Sequence, residues 1–277
     1  MNVESSKNNP SIMVMSGNKD AYQIIKKLAE LKKFSIIATT TTNYGAEIAK
    51  KSGADKVVEG ALDQGGIEEL IINNNIKILI DATHPFATKA TVNSVHAAEN
   101  QDIGYIRFER PLMEKIDSKH IYRVKSFQEA VDLVQNLLEK NYENGKVMHL
   151  AGVSTLNYIL KKIDKEKVYV RILPSLDSIR KCLNLGLNPE NVIAMQGTFS
   201  KEFNQALMRE YGVSIIITKE SGLTGGTPSK ISAAIELGLD VVIIERPEIV
   251  ELTDKKVFTE INHLVEYLIN EKELSIN

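Results

Sequence analysis

The 277-residue sequence contains one cysteine, Cys182, and no tryptophan. A lone thiol excludes an intramolecular disulfide and leaves thiolate metal clusters short of ligands, which suits a reducing cytoplasm. Charge of one sign is missing too: 34 Lys and Arg stand against 36 Asp and Glu, for a formal net charge of -2. No broad cationic field is available for a nucleic-acid backbone or an anionic bilayer, so neither is an expected partner. No apolar run approaches the ~20 residues that span a bilayer, and the polar first ten residues do not resemble a signal segment. His96, His120, His149 and His263 are scattered without ligand spacing, so no resident metal is expected. Solenoid-length repeats and low-complexity tracts are absent as well.

What is present is an ordinary globular composition, 43% hydrophobic and 25% charged, arranged in an α/β rhythm. Strand-length apolar runs at residues 12–16, 34–39, 56–59, 76–81 and 104–108 alternate with helical periodicity at 21–31, 45–51, 67–73 and 87–100. Continuous runs such as Ile78-Leu79-Ile80 point to strands buried on both faces of a parallel sheet. Pro111 and the polar stretch 114–120 interrupt this series. A second series follows, with strands at 121–125, 146–150, 168–172, 192–195, 213–218 and 240–244 and a closing helix at 260–270. The expectation is two Rossmann-like domains with mainly parallel sheets and a cleft between them, residues 1–112 and 113–277. Phe108-Glu109-Arg110-Pro111 and Ile244-Glu245-Arg246-Pro247 echo one another at two strand ends.

Ligands of open parallel sheets bind at the carboxyl ends of the strands, so the residues after each run carry the chemistry. After the first strand, Gly17 permits a tight turn, Asn18 tolerates unusual backbone geometry and Lys19 offsets phosphate charge, with free N–H groups of the following helix facing the ligand. An unliganded turn would look much the same. The second strand ends in Thr40, Thr41 and Thr42, whose hydroxyls suit a ribose or a phosphate, while Thr42 also suits a helix cap. Neither the acidic residue nor the arginine that would separate NADH from NADPH is present. The fourth strand ends in Asp81-Ala82-Thr83-His84-Pro85-Phe86-Ala87, an acid, a hydroxyl, an imidazole and an aromatic at one ligand edge.

In this order, the segments 40–45 and 81–87, Glu109-Arg110-Pro111, Met195-Gln196-Gly197-Thr198-Phe199-Ser200, and Lys219-Glu220-Ser221-Gly222 with Gly225-Gly226 and Lys230 resemble the precorrin-6A reductases of cobalamin biosynthesis, including those acting on the cobalt form. The resemblance spans most of the chain. It implies an NADH- or NADPH-dependent reduction of one carbon–carbon double bond in a tetrapyrrole-derived macrocycle, giving the 6B form. Cobalt, where present, would arrive within the substrate, and neighbouring enzymes of the same pathway are the other expected contacts.

The nucleotide is expected at Gly17, Asn18, Lys19, Thr40, Thr41, Thr42, Asp81, Ala82 and Thr83. A many-carboxylate ring calls for cations and backbone donors at strand ends, which Arg110, Lys219, Lys230, Arg246, Ser221, Gly225 and Gly226 provide. Phe86, Thr198, Phe199 and Ser200 complete the expected ring contacts. His84 and Tyr44 are the candidate proton donors by residue type, with water as the alternative. The competing reading is a non-catalytic dinucleotide-sensing regulator, which would have no use for a second anionic pocket. A methyltransferase of the same pathway is disfavoured by the missing acidic ribose ligand.

Overall fold

The computed structural model describes residues 9–114, 116–222 and 226–271. The chain begins with β1 (Ser11–Met15), α1 (Lys19–Leu31), β2 (Ser35–Thr40), α2 (Asn43–Lys51), β3 (Lys56–Glu59), α3 (Gln64–Asn73), β4 (Ile76–Asp81), α4 (Thr88–Asn100) and β5 (Gly104–Phe108). It continues with β6 (Ile121–Val124), α5 (Phe127–Asn141), β7 (Lys146–His149), α6 (Leu156–Ile159), β8 (Val168–Ile172), α7 (Leu176–Asn184), β9 (Val192–Ala194) and α8 (Lys201–Glu210). Then come β10 (Val213–Lys219), α9 (Thr227–Glu236), β11 (Asp240–Ile244), β12 (Lys256–Phe258) and α10 (Ile261–Asn270).

Two compact units result. Among the described residues, the second runs from Pro111 to Arg246, and the first takes those up to Arg110 together with those from Pro247 onward. The C-terminal segment therefore does not belong to the second domain, as the expected 113–277 boundary had it. Its short strand β12 adds in parallel to β5, with Lys256 beside Ile106 and Phe258 beside Phe108. Leu264 and Leu268, four apart on α10, enter the same core as Ile24, Ile25 and Leu28 of α1. Burying such leucines stabilises by roughly 1.5–3 kcal/mol each, which is ample reason for the segment to return. The two crossings between units fall at Arg110-Pro111 and Arg246-Pro247, the two copies of the echoed motif.

The first unit's sheet has the order β12-β5-β4-β1-β2-β3, with each neighbouring pair parallel. The second has β6-β11-β10-β7-β8-β9, also parallel. Both are doubly wound about a central pair, β1/β4 and β7/β10, where the strand order reverses. The difference lies in the sixth strand, which follows its unit in the first case and precedes it in the second. In β1, Ile12 and Val14 pack on one face while Met13 and Met15 pack on the other, the two-sided burial that an apolar run without alternation encodes. In α1 the buried set Ala21, Ile24, Ile25 and Leu28 follows the i, i+3, i+4, i+7 stripe of a helix lying on a sheet.

Candidate functional site

At the reversal point of the first unit, the β1–α1 turn meets the end of β4. Gly17 is exposed with φ +137°, and a Cβ there would meet no atom within 4 Å. Only glycine holds this geometry without strain, and its backbone faces open space. The Asn18 side chain caps α1 by accepting from the N–H groups of Asp20 and Ala21, both at 3.0 Å, and its amide donates to the Ala82 carbonyl at 2.6 Å. Two N–H groups expected to face a phosphate are thus taken by Asn18, which pins the turn to β4. Exposed Gly17 and Lys19 are the parts of this turn turned toward solvent.

Thr41 and Thr42 are exposed, with Thr42 Oγ1 capping α2 through the Gly45 N–H at 3.1 Å. Thr40 is instead buried, its hydroxyl against Gly45, so it supports this edge from below. Asp81 departs further from its expected cofactor role. Its carboxylate is fully buried, 2.8 Å from the equally buried Arg107 guanidinium, and accepts from the Thr83 N–H and hydroxyl and from the Tyr105 hydroxyl. Burial alone would raise its pKa, but Arg107 and the Thr83 donors outweigh that and hold it below the usual carboxylate range. Asp81, Ala82 and Thr83 fix the loop from inside, because Thr83 Oγ1 also accepts from Arg107 at 3.1 Å.

What this loop presents is His84. Its Nδ1 accepts the Phe86 N–H at 3.2 Å, which assigns the neutral ring's proton to Nε2. The Phe86 ring lies 5.8 Å from the imidazole. Tyr44 is 58% exposed on α2. Arg110 pairs through Nε with Asp20, at the start of α1, so this guanidinium is engaged within its own unit.

The second unit is organised differently. At the end of β7, buried His149 bonds through Nε2 to the Gly152 carbonyl at 3.2 Å and the Thr155 hydroxyl at 3.1 Å, setting the course of the loop after the strand. Burial pushes its pKa down to about 4, Lys219 adds to that and the Gly152 carbonyl opposes it, so the ring is neutral. Beside this loop lies a hollow of about 350 Å³ whose lining includes Gly152, Ser154, Arg171, Leu173, Met195 and Lys219. Arg171 donates to the Asn204 side chain at 3.0 Å and lies 5.3 Å from the Phe199 ring, which stacks on Phe203. Lys219 lies 5.5 Å from the Phe127 ring.

Lys230, on the first turn of α9, is 6% exposed and donates to Thr218 Oγ1 at 3.2 Å. Its pKa is pushed down to about 7, first by burial and then by Arg171 and Lys219. Among the described residues no carboxylate lies within ion-pair distance of Arg171 or Lys230.

The remaining expected ring contacts divide between rim and scaffold. Thr198 and Ser200 are exposed, and Ser200 caps α8 through the Phe203 N–H at 3.2 Å. Gly226, the α9 N-cap at φ +70°, lets Thr198 approach, since a Cβ there would sit 3.3 Å from Thr198 Cγ2. Ser221 is buried, 3.3 Å from both the Lys219 carbonyl and the Thr227 hydroxyl. Gly225 lies outside the described residues. Arg246 is 3.0 Å from Glu220, whose other oxygen accepts from the Met113 and Gly222 N–H groups. It reads as part of a buried support for the 220–222 turn.

Arg107 and Arg171 were missed from sequence. The available signal was a cation breaking an apolar strand near its carboxyl end, Ile106-Arg107-Phe108 and Val170-Arg171-Ile172. Among the described residues, no group of three or more His, Cys, Asp or Glu side chains could hold a metal, and no helix is long and apolar enough to cross a membrane.

The family model described as precorrin-6x reductase CbiJ/CobK matches residues 11–269. A cobalt-precorrin-6A reductase of Methanothermobacter thermautotrophicus is 47% identical over 259 residues, covering 94% of this chain and 83% of its own. One from Methanocaldococcus jannaschii is 39% identical over 263 residues, covering 95% and 99%. The solved structure of a CobK precorrin-6A reductase superposes with a TM-score of 0.72 over 94% of this chain and 96% of that one, at 19% identity, and supports the fold. Matched over nearly its whole length, the chain belongs to the precorrin-6x reductase CbiJ/CobK family and is an oxidoreductase of cobalamin biosynthesis.

Proposed function

We propose that this chain reduces cobalt-precorrin-6A to the 6B form in the cytoplasm, with NADH or NADPH as the hydride source. Both relatives above carry the cobalt-bearing substrate in their names. The observation that carries the substrate side is the gathering of cations at the carboxyl edge of the second unit, where Arg171 and Lys219 line one hollow and Lys230 lies buried on the first turn of α9 beside the end of β10. Burying cations together is unfavourable unless an anion joins them, and a ring edged with carboxylates supplies it.

The first unit fits a dinucleotide in its exposed backbone at Gly17, the Lys19 ammonium and the hydroxyls of Thr41 and Thr42. When bound, the nicotinamide supplies a hydride to one carbon of the double bond. The chain's own part is to hold the ring through its carboxylates, to exclude water and to deliver a proton to the neighbouring carbon. His84 suits that delivery, because the Phe86 N–H occupies Nδ1 and leaves the proton on Nε2.

The test is an anaerobic assay of purified protein with each nucleotide. Oxidation should occur only when cobalt-precorrin-6A is present, and its absence with both nucleotides would refute the reading. His84→Ala should lower kcat by about 10²–10⁴-fold with little change in either KM. A near-normal rate would remove His84 as the donor.

A further inference from the structure

We infer that Asn18 is a positioning residue: its side chain joins the β1–α1 turn and the 82–87 loop into one rigid edge, so that the turn and the His84 imidazole keep a fixed relation. This deepens the proposed reaction and rests on that reading for the roles of the turn and of His84.

Asn18 spends one polar atom on each side of the edge. Its Oδ1 accepts from the Asp20 and Ala21 N–H groups, and its Nδ2 donates to the Ala82 carbonyl, 64 positions away in the chain. The Ala82 N–H in turn donates to the Met15 carbonyl at 3.2 Å, so both backbone polar groups of this buried residue are bound to the β1–α1 segment. The turn itself is anchored on its other side. The Ser16 N–H and hydroxyl both donate to the Thr39 carbonyl, at 2.9 and 2.8 Å, and Asp20 pairs with Arg110. Any displacement of the turn therefore carries the Ala82 peptide with it.

From that peptide to the imidazole the path is short and stiff. The Thr83 N–H and hydroxyl donate to Asp81 at 2.9 and 2.7 Å. Pro85 disfavours helical backbone at His84. The His84 carbonyl accepts the Ala87 N–H at 2.7 Å, and its Nδ1 accepts the Phe86 N–H at 3.2 Å. A misplacement of about 1 Å at a reacting group can cost about 10²-fold in rate, so the Asn18 bridge acts through geometry more than through the energy of one hydrogen bond. Residue type agrees with this role. Ser and Asp cap a helix as well as Asn does, but Asp has no donor for a carbonyl and the Ser hydroxyl is too short to serve both sides.

Asn18→Ser and Asn18→Asp keep the cap and remove the bridge, and hydrogen exchange read by mass spectrometry follows the edge without turnover. In both variants the amides of residues 82–87 should exchange at least about fivefold faster than in wild type, while those of residues 21–31 keep their rates. ADP-ribose, which has the pyrophosphate but no nicotinamide, should slow exchange at 16–21 and at 82–87 in wild type, and only at 16–21 in the variants. Unchanged exchange at 82–87, or ligand protection there that survives substitution, would overturn the bridge even if the enzyme reduces its macrocycle normally. Absence of protection at 16–21 in wild type would take the nucleotide away from the turn, and the inference would fall with it.

Kinetics with cobalt-precorrin-6A separate positioning from general support. Asn18→Ser should lower kcat at least about tenfold with the nucleotide KM within about threefold of wild type. In a His84→Ala background the same substitution should cause no further loss, because Asn18 acts through His84. Losses that multiply would overturn the positioning role. If the exchange results hold and the wild type shows no turnover, the bridge stands and the reductase reading fails.

Discussion

The two reversal points share one strand order but treat charge in opposite ways. In the first unit, the two arginines near the strand ends are matched: Arg107 lies between Asp81 and Glu109, and Arg110 meets Asp20. In the second, Arg171 and Lys230 are gathered near Lys219 with no described carboxylate in ion-pair range. Compensated charge builds a rigid rim, whereas uncompensated buried charge is an open valence for a ligand. The same fold thereby carries charge-matched arginines in one unit and gathered cations in the other.

Breaking the compensated side should give the largest effect. Arg107→Met leaves the Asp81 carboxylate buried and unpaired, and urea unfolding should show a loss of about 3–5 kcal/mol at neutral pH. Because the folded Asp81 pKa lies below its unfolded value, the stability it confers is complete above the ordinary carboxylate range, and it is lost as pH falls through the folded value. The deficit of the variant should therefore shrink in acid. An unchanged midpoint would mean that the pair is not structural.

On the uncompensated side the sign should reverse. Lys230→Met removes an ammonium that folding must desolvate and should stabilise the protein by on the order of 1–2 kcal/mol below pH 7. Between about pH 7 and the ordinary lysine value of 10.5 the unfolded chain holds the proton and the folded chain does not. Wild-type stability therefore rises with pH across that window and the advantage of the variant fades. Thermal melts at several pH values would show this, and a destabilised variant would indicate that Lys230 has an internal partner.

Most of the architecture was legible because its strands are buried on both faces, which writes them as continuous apolar runs bounded by Asn-, Thr- and Gly-rich turns. The return of the C-terminal segment was not, since β12 has only three residues, Lys256–Phe258, too few for any periodicity. The site was legible as a set of strand ends but not as roles. Asp81 reads as a ligand contact until the parallel register sets Arg107 beside it on β5, a pairing across 26 positions that composition cannot show. Arg110 and Arg246 likewise look free in sequence and meet Asp20 and Glu220 in the fold. Arg171 sits within an apolar strand, where neighbouring residues give no hint of Lys219 and Lys230.

The most direct test of the contrast is steady-state kinetics of Arg171→Met and Lys230→Met with cobalt-precorrin-6A and the preferred nucleotide. The KM for the macrocycle should rise at least about tenfold, with the KM for the nucleotide within about twofold of wild type. A raised nucleotide KM with an unchanged macrocycle KM would contradict it.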